Sequence, residues 1–325
     1  MMTETVLEVK NLTKSYSLKA GGFSFSKERV HALSDVSFSI GKGKTLGLVG
    51  ESGCGKTTTG RSLLRIIEPD RGKVFFNGSD TNFLSLPEKE MITERLKMQY
   101  IFQDPWQSLN PKQMVGRIIT EAPLQHGLIK RENALEVSKK YLDIVGLPSE
   151  AARKYPHEFS GGQRQRINIA RAIVMKPDFI VCDEPVSSLD VSIQSQILNL
   201  LLDIQQEFGT SYLFIAHNLS VVFYLSDEVA VMYAGKIVEK APSRKLYEDP
   251  RHPYTKLLMA VAPKIDGKPV SLQPGQDGEV PSLTKLPKGC SFAERCPIAS
   301  EECRRSIPPL KTVEFEHKVA CFKAL

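Results

Sequence analysis

The stretch Gly50-Glu51-Ser52-Gly53-Cys54-Gly55-Lys56-Thr57-Thr58 constrains this chain more than any other. It follows the apolar run Leu46-Gly47-Leu48-Val49, which reads as a short buried strand, and leads into Gly60-Arg61-Ser62-Leu63-Leu64, which reads as helix. Strand, glycine-rich loop and helix in that order are what a phosphate-binding loop requires. The glycines let successive backbone N–H groups turn toward an anion, and the helix N-terminus adds its partial positive charge. Lys56 can reach the outer phosphates, and Thr57 offers a hydroxyl to Mg²⁺. Every fixed position of the G-x-x-x-x-G-K-[ST] pattern is filled, so a glycine-rich turn that binds nothing is the weaker reading.

At 325 residues, 41% of them hydrophobic and 25% charged, the chain can build a large core and more than one domain. No apolar run approaches the length of about eighteen residues that a bilayer crossing needs, and the N-terminus carries no apolar signal core. The expectation is a soluble cytoplasmic protein whose membrane link comes through partners. The net charge of +6 is spread along the chain without a basic block, which argues for a solvated surface and against a nucleic-acid partner.

Thr5-Val6-Leu7-Glu8-Val9 reads as an edge strand, and Val36-Ser37-Phe38-Ser39-Ile40 alternates apolar and polar residues, so an antiparallel N-terminal sheet is expected. Met98-Gln99-Tyr100-Ile101-Phe102-Gln103 reads as a strand ending in Gln103. From about Val115 to Val174 apolar residues recur at helical spacing, through Leu135, Val137, Tyr141, Leu142, Ile144 and Val145. Within that region Ser160 suits a helix N-cap followed by Gly161 and Gly162, whose bare N–H groups make a second potential anion site; Gln163 continues the helix. The apolar strand Phe179-Ile180-Val181-Cys182 runs into Asp183 and Glu184, placing two carboxylates where ligands bind in open α/β sheets. One acid can hold the Mg²⁺ water shell while the other polarises an attacking water. A further strand, Tyr212 to Ala216, delivers His217 to the same kind of position, where an imidazole can donate to a phosphate. Glu228–Tyr233 and Lys236–Glu239 flank Ala234-Gly235 and read as a hairpin.

Beyond Pro242 the composition shifts, and residues 246–325 read as a small appendage to a body at 1–245. Cys290, Cys296, Cys303 and Cys321 crowd it, with five, six and seventeen intervening residues. In a reducing compartment such a cluster argues for a metal over disulfides. Neither the short Cys pairs of structural zinc nor the bacterial ferredoxin spacing is present, so spacing leaves zinc and iron open.

These pieces together resemble the ATP-binding subunits of ABC transporters over nearly the whole chain. Residues 50–58 match the Walker A loop, Gln103 the Q-loop, and Phe159-Ser160-Gly161-Gly162-Gln163 the signature sequence, with Phe in place of the commoner Leu. Asp183-Glu184 matches Walker B with its glutamate, Ser187-Ser188-Leu189-Asp190 looks like the D-loop, and His217 like the switch histidine. Phe102-Gln103-Asp104-Pro105-Trp106-Gln107-Ser108-Leu109-Asn110-Pro111, with Asp249-Pro250-Arg251-His252-Pro253-Tyr254-Thr255, resembles the oligopeptide/dipeptide importer branch and in particular its second ATPase subunit. Trp106 stands where that branch has a smaller residue.

The resemblance implies an α/β P-loop NTPase core with an antiparallel β subdomain, a helical subdomain inserted at about 88–172, and the cysteine-containing appendage. It implies ATP and Mg²⁺ as ligands, with each ATP sandwiched between one subunit's P-loop and the other's signature residues. In that scheme the residues from Gly50 to Thr58 bind nucleotide, Tyr16 stacks on adenine, and Thr57, Gln103 and Asp183 serve Mg²⁺. Glu184 is the base, His217 steadies the γ-phosphate, and Asp190 acts in the D-loop. Gly289-Cys290-Ser291-Phe292-Ala293-Glu294-Arg295-Cys296-Pro297 looks like the family's C-terminal cysteine motif, which implies a [4Fe–4S] cluster on Cys290, Cys296, Cys303 and Cys321, with zinc as the alternative. The implied partners are a second, related ATPase subunit, or a copy of this chain, together with two transmembrane permease subunits and, indirectly, an extracytoplasmic binding protein. The implied place is the cytoplasmic face of the membrane. Peptide is the expected cargo; the branch also moves nickel chelates and sugars. A soluble ABC ATPase acting on ribosomes or DNA is the competing class, but those commonly carry two cassettes or a coiled-coil insertion, and this sequence has neither.

Overall fold

The computed structural model describes residues 4–17, 28–261 and 283–324. In chain order these form β1 (Thr5–Ser17), β2 (Arg29–Gly41), β3 (Thr45–Val49), α1 (Lys56–Leu63) and β4 (Arg71–Phe76). Next come α2 (Glu88–Arg95), β5 (Met98–Ile101), α3 (Pro105–Ser108), α4 (Val115–Gln125), α5 (Ala134–Ile144) and α6 (Gly161–Ile173). Then follow β6 (Phe179–Asp183), α7 (Val191–Phe208), β7 (Ser211–Ile215), α8 (Leu219–Leu225), β8 (Glu228–Tyr233) and β9 (Lys236–Pro242). The chain closes with α9 (Ser243–Glu248), α10 (Pro253–Val261), α11 (Glu301–Arg305), β10 (Lys311–Glu314) and β11 (His317–Val319). Two compact units result, one from Met1–Val6, Gly41–Lys44 and Leu86–Phe214, the other from Leu7–Ile40, Thr45–Ser85 and Ile215–Leu325.

In the first unit β5 runs parallel to β6, with Met98 opposite Phe179 and Ile101 opposite Cys182, and β7 borders β6 on its other side. Every residue of β6 and β7 is buried. Unbroken apolar runs such as Phe179-Ile180-Val181-Cys182 are what strands covered on both faces require. Asp183 belongs to β6 itself and so ends the strand, where the sequence reading put it just beyond. Helix α4 packs against α5 and α6, burying Val115, Ile118 and Ile119. On α5, Tyr141 and Leu142 turn inward, while Leu135, expected on the same face, is exposed in the first turn.

In the second unit β3 lies parallel to β8, with Leu46 opposite Glu228, and β8 folds back onto β9 as the expected hairpin. Both turn residues take positive φ, 44° at Ala234 and 78° at Gly235, the handedness that matches the strands' own twist. A separate three-stranded sheet has the order β2-β1-β4, with β1 antiparallel to β4 and Val9 opposite Val74. The edge-strand reading of Thr5–Val9 is thereby corrected. β1 is the middle strand and continues to Ser17, because Val6, Leu7, Val9 and Leu12 all bury their side chains and leave both backbone edges to pair.

The described residues beyond 246 belong to this second unit. β10 and β11 extend its larger sheet from β9, with Val319 opposite Glu239. Glu239 and His317, both 0% exposed in their side chains, meet at 2.7 Å. Glu239 also accepts the backbone N–H groups of Arg251 (2.7 Å) and His252 (2.9 Å), so one buried carboxylate ties the C-terminal hairpin to the start of α10. No helix among the described residues is long and apolar enough to cross a membrane.

Candidate functional site

The phosphate loop, in the second unit, has the geometry its composition predicts. Gly55 takes φ 111° at the N-cap of α1, and a Cβ there would lie 2.4 Å from the carbonyl oxygen of Ala32; at Gly50 a Cβ would lie 2.2 Å from the carbonyl oxygen of Met232. Only glycine fits either position. No side chain caps α1, and its N-terminus with the helix's partial positive charge closes the loop. Lys56 is 5% exposed and donates through Nζ to the carbonyls of Gly50 (2.7 Å) and Glu51 (3.0 Å), which holds its ammonium inside the loop. Ser52 and Gly53 are exposed at the tip, while Thr57 and Thr58 are half-buried. Cys54 is fully buried, and burial pushes its thiol above the ordinary value against the opposing pull of Lys56.

Tyr16 sits near the end of β1, partly exposed, with the Lys14 ammonium 5.4 Å above its ring. His217 is exposed just past β7, where Asn218 caps α8 by accepting the Ser220 N–H at 3.0 Å.

The first unit holds the acids. Asp183 is fully buried, and its Oδ2 accepts the hydroxyl of Tyr100 at 2.7 Å. Glu184, half-buried, takes φ 46°, a left-handed conformation that costs a non-glycine residue about a kilocalorie or more. Its Oε2 accepts from Gln103 Nε2 at 2.9 Å. Gln103 therefore bonds the expected base directly. The strand pairing of β5 with β6 brings these residues together, since Gln103 and Glu184 each lie just past a strand end.

Signature residues Ser160, Gly161, Gly162 and Gln163 start α6. Ser160 Oγ accepts the Gln163 N–H at 3.4 Å, and Gln163 Oε1 accepts the Ser160 N–H at 3.0 Å, a reciprocal capping box. A Cβ at Gly162 would come within 2.6 Å of Ile193, so this glycine lets α6 approach α7. Asp190 is the exposed N-cap residue of α7.

Trp106, unexpected in its place, is explained by Arg164 of α6, whose guanidinium lies 3.3 Å from the indole centroid. Asn168 accepts from Ser108 at 2.9 Å, and Arg171 donates to the Ser108 carbonyl. The segment after Gln103 is thus fastened to the signature helix at three points.

Cys290, Cys296, Cys303 and Cys321 line one small cavity of about 10 Å³ with His252, Phe292 and Pro308. No cysteine is bridged, and burial followed by the neighbouring thiols pushes Cys290 and Cys296 above the ordinary thiol value. Among the described residues no three His, Cys, Asp or Glu side chains are arranged to hold a single metal ion. Four thiols on one cavity fit a thiolate-bound group in kind, and the backbone N–H of Cys290 bonds the carbonyl of Cys303 at 2.7 Å, which draws those two together.

Sequence reasoning missed three residues. Tyr100, within the strand read only for the Gln103 at its end, holds Asp183. Tyr254 and Arg295 both reach Glu51 in the phosphate loop. No local pattern announces such long-range partners.

Comparison with known proteins agrees with this geometry. The family model for ABC transporters matches residues 33–187, and that for the oligopeptide/dipeptide transporter C-terminal region matches residues 238–303. The chain is 46% identical over 320 residues to a probable peptide ABC transporter ATP-binding protein of Sinorhizobium fredii, covering 98% of this chain and 90% of that one. It is 45% identical to the oligopeptide transport ATP-binding protein AppF of Bacillus subtilis, over 98% and 97% of the two chains. The dimeric post-hydrolysis structure of the ATP-binding cassette MJ0796 bound to ADP and Pi superposes with a TM-score of 0.64 at 26% identity, covering 73% of this chain and 99% of that one. A glycine-built phosphate loop, strand-end acids and a capped signature helix, in a chain alike over its whole length to these relatives, place it in one group: the chain belongs to the ATP-binding proteins of ABC transporters, in their oligopeptide/dipeptide branch.

Proposed function

We propose that this ABC ATPase is the motor subunit of a membrane importer for di- and oligopeptides, acting as the second of two related ATPase subunits. The observation that carries the cargo assignment is the match to the oligopeptide/dipeptide C-terminal region at 238–303, whose described residues belong to the same unit as the phosphate loop. Residues 1–245 act as the cassette and 246–325 as its C-terminal extension. The chain works at the cytoplasmic face of the membrane with two permease subunits, and a binding protein delivers the peptide.

The chemistry follows from the residues. Lys56 and the amides from Gly50 to Thr58 bind the phosphates, Tyr16 stacks on adenine, and Thr57, Gln103 and Asp183 serve Mg²⁺. Glu184, oriented by Gln103, takes the proton of the attacking water; His217 steadies the γ-phosphate. Two anion sites in one chain, the phosphate loop and the start of α6 at Ser160 to Gln163, suit an ATP shared in trans, with Asp190 beside the shared nucleotide. Binding then closes the ATPase pair, and hydrolysis or product release reopens it.

The four late cysteines hold a [4Fe–4S] cluster, with zinc the alternative; when bound, it supplies a rigid tie among Cys290, Cys296, Cys303 and Cys321. Stoichiometric iron and sulfide in anaerobically purified protein supports this assignment, and their absence removes it.

Gentle solubilisation of membranes carrying the tagged chain tests the transport reading. Two permease subunits and a second ATPase should co-purify. Recovery alone or with ribosomes would sink it. Glu184→Gln should cut ATP turnover by about 10²-fold or more, while turnover near wild type would remove the base assignment.

A further inference from the structure

Glu51 of the phosphate loop is gripped from outside the loop at both ends. Its backbone N–H donates to the Tyr254 hydroxyl at 2.9 Å. Its carboxylate accepts both Arg295 nitrogens, Nη1 on Oε2 and Nη2 on Oε1, each at 2.9 Å. A planar guanidinium bonded through both arms fixes a carboxylate in direction as well as in distance. The pair is sheltered, with side-chain exposures of 10% for Arg295 and 27% for Glu51. Its members are 244 residues apart in the sequence.

Neither gripping residue is loose. Tyr254 is fully buried, its ring centroid 4.5 Å from that of Tyr233 and 5.5 Å from that of Phe292. Arg295 lies over the Phe292 ring at 5.6 Å and reaches the Tyr233 hydroxyl at 3.4 Å. Its backbone N–H closes a turn onto the Phe292 carbonyl at 3.1 Å, and the next residue is Cys296. Inside the loop, the Glu51 carbonyl is one of the two that receive the Lys56 ammonium. A continuous chain of contacts therefore runs from the cysteine-bearing turn through Arg295 and Glu51 to Lys56.

We infer that Arg295, seconded by Tyr254, is a positioning residue for ATP: it holds the phosphate loop in its binding shape, so that the cysteine-bearing segment sets nucleotide affinity. This rests on residues 50–58 being the phosphate site. An amide cradle already in place binds an anion without first ordering the loop, and losing that order appears as weaker binding rather than slower chemistry. A bond that only stabilised the fold would lower the melting temperature and leave the affinity of the folded protein alone.

Titrating MgADP into the intact chain by calorimetry tests this without turnover. Arg295→Ala and Glu51→Gln should each raise Kd by about tenfold, and the double variant by no more than either alone, the signature of one shared interaction. Arg295→Lys should recover part of the loss, and at saturating ATP kcat should fall less than KM rises. Cys296→Ser should weaken binding in the wild-type background and change nothing in Arg295→Ala. Lys56→Ala serves as reference: if it abolishes binding while Arg295→Ala stays within about twofold of wild type, the positioning role is overturned and the phosphate site stands. If Lys56→Ala itself binds normally, it is the phosphate site that fails. Multiplying effects in the double variant, or a silent Cys296→Ser, would overturn the link from loop to cysteines. Should Arg295→Ala not fold, Glu51→Gln and Arg295→Lys decide the question.

Discussion

Tyr100→Phe removes one oxygen and nothing else. The ring stays packed 4.6 Å from Phe102, in a site where Tyr100 is 7% exposed and Asp183 fully buried. What disappears is the 2.7 Å hydrogen bond to Asp183 Oδ2. A hydrogen bond to a charged group contributes about 1.5–3 kcal/mol, and no water can replace a donor at a buried oxygen without opening the strand end. For a chain of 325 residues that energy corresponds to a fall of roughly 2–4 °C in melting temperature. Melting of the nucleotide-free protein, followed by circular dichroism, measures it directly. The same deletion in an Asp183→Asn background should cost about 1 kcal/mol less, because the acceptor is then neutral. The functional readout is the Mg²⁺ concentration for half-maximal ATPase activity, which should rise as Asp183 loses its orientation. A Tyr100→Phe protein that melts within about 1 °C of wild type, with unchanged Mg²⁺ dependence, would refute the view that Tyr100 orients the acid.

Other outcomes follow from the same structure. Gly55→Ala should abolish nucleotide binding in a filter or calorimetric assay, since the residue sits at φ 111° with the Ala32 carbonyl 2.4 Å from the new Cβ. Glu239→Ala should cost about 3–5 kcal/mol by urea unfolding, because it strands His317 and two backbone donors in the interior. His252 carries a pH signature: burial, opposed by Glu239, lowers it from the ordinary 6.5 to about 4, so the unfolded chain binds a proton that the folded one refuses. Its contribution is fully present above pH 6.5 and is lost as pH falls toward 4, by about 3 kcal/mol in all. Urea midpoints measured across that window should show a shallower acid limb in His252→Asn.

Several features were legible because their physics is local. A phosphate loop needs a strand, two glycines at fixed spacing, a lysine and a helix start in unbroken succession, and 50–58 with its flanks supplies them. The hairpin at Ala234-Gly235, the cap at Ser160, and the buried runs of β6 and β7 follow from residues a few positions apart. Composition and period therefore determined the α/β class, the phosphate chemistry and the location of the acids. What the tertiary structure alone decided involves partners far apart in the chain. Nothing near Thr5–Val9 says that β4, more than sixty residues on, will pair with β1 and make it a middle strand. Nothing near Tyr100 points to Asp183, 83 residues away, nor near Glu51 to Arg295, 244 residues away. Those contacts depend on how strands register and which turns close. Spacing showed that four cysteines share one stretch; only the fold brought them to one cavity and set the residue beside Cys296 against the phosphate loop.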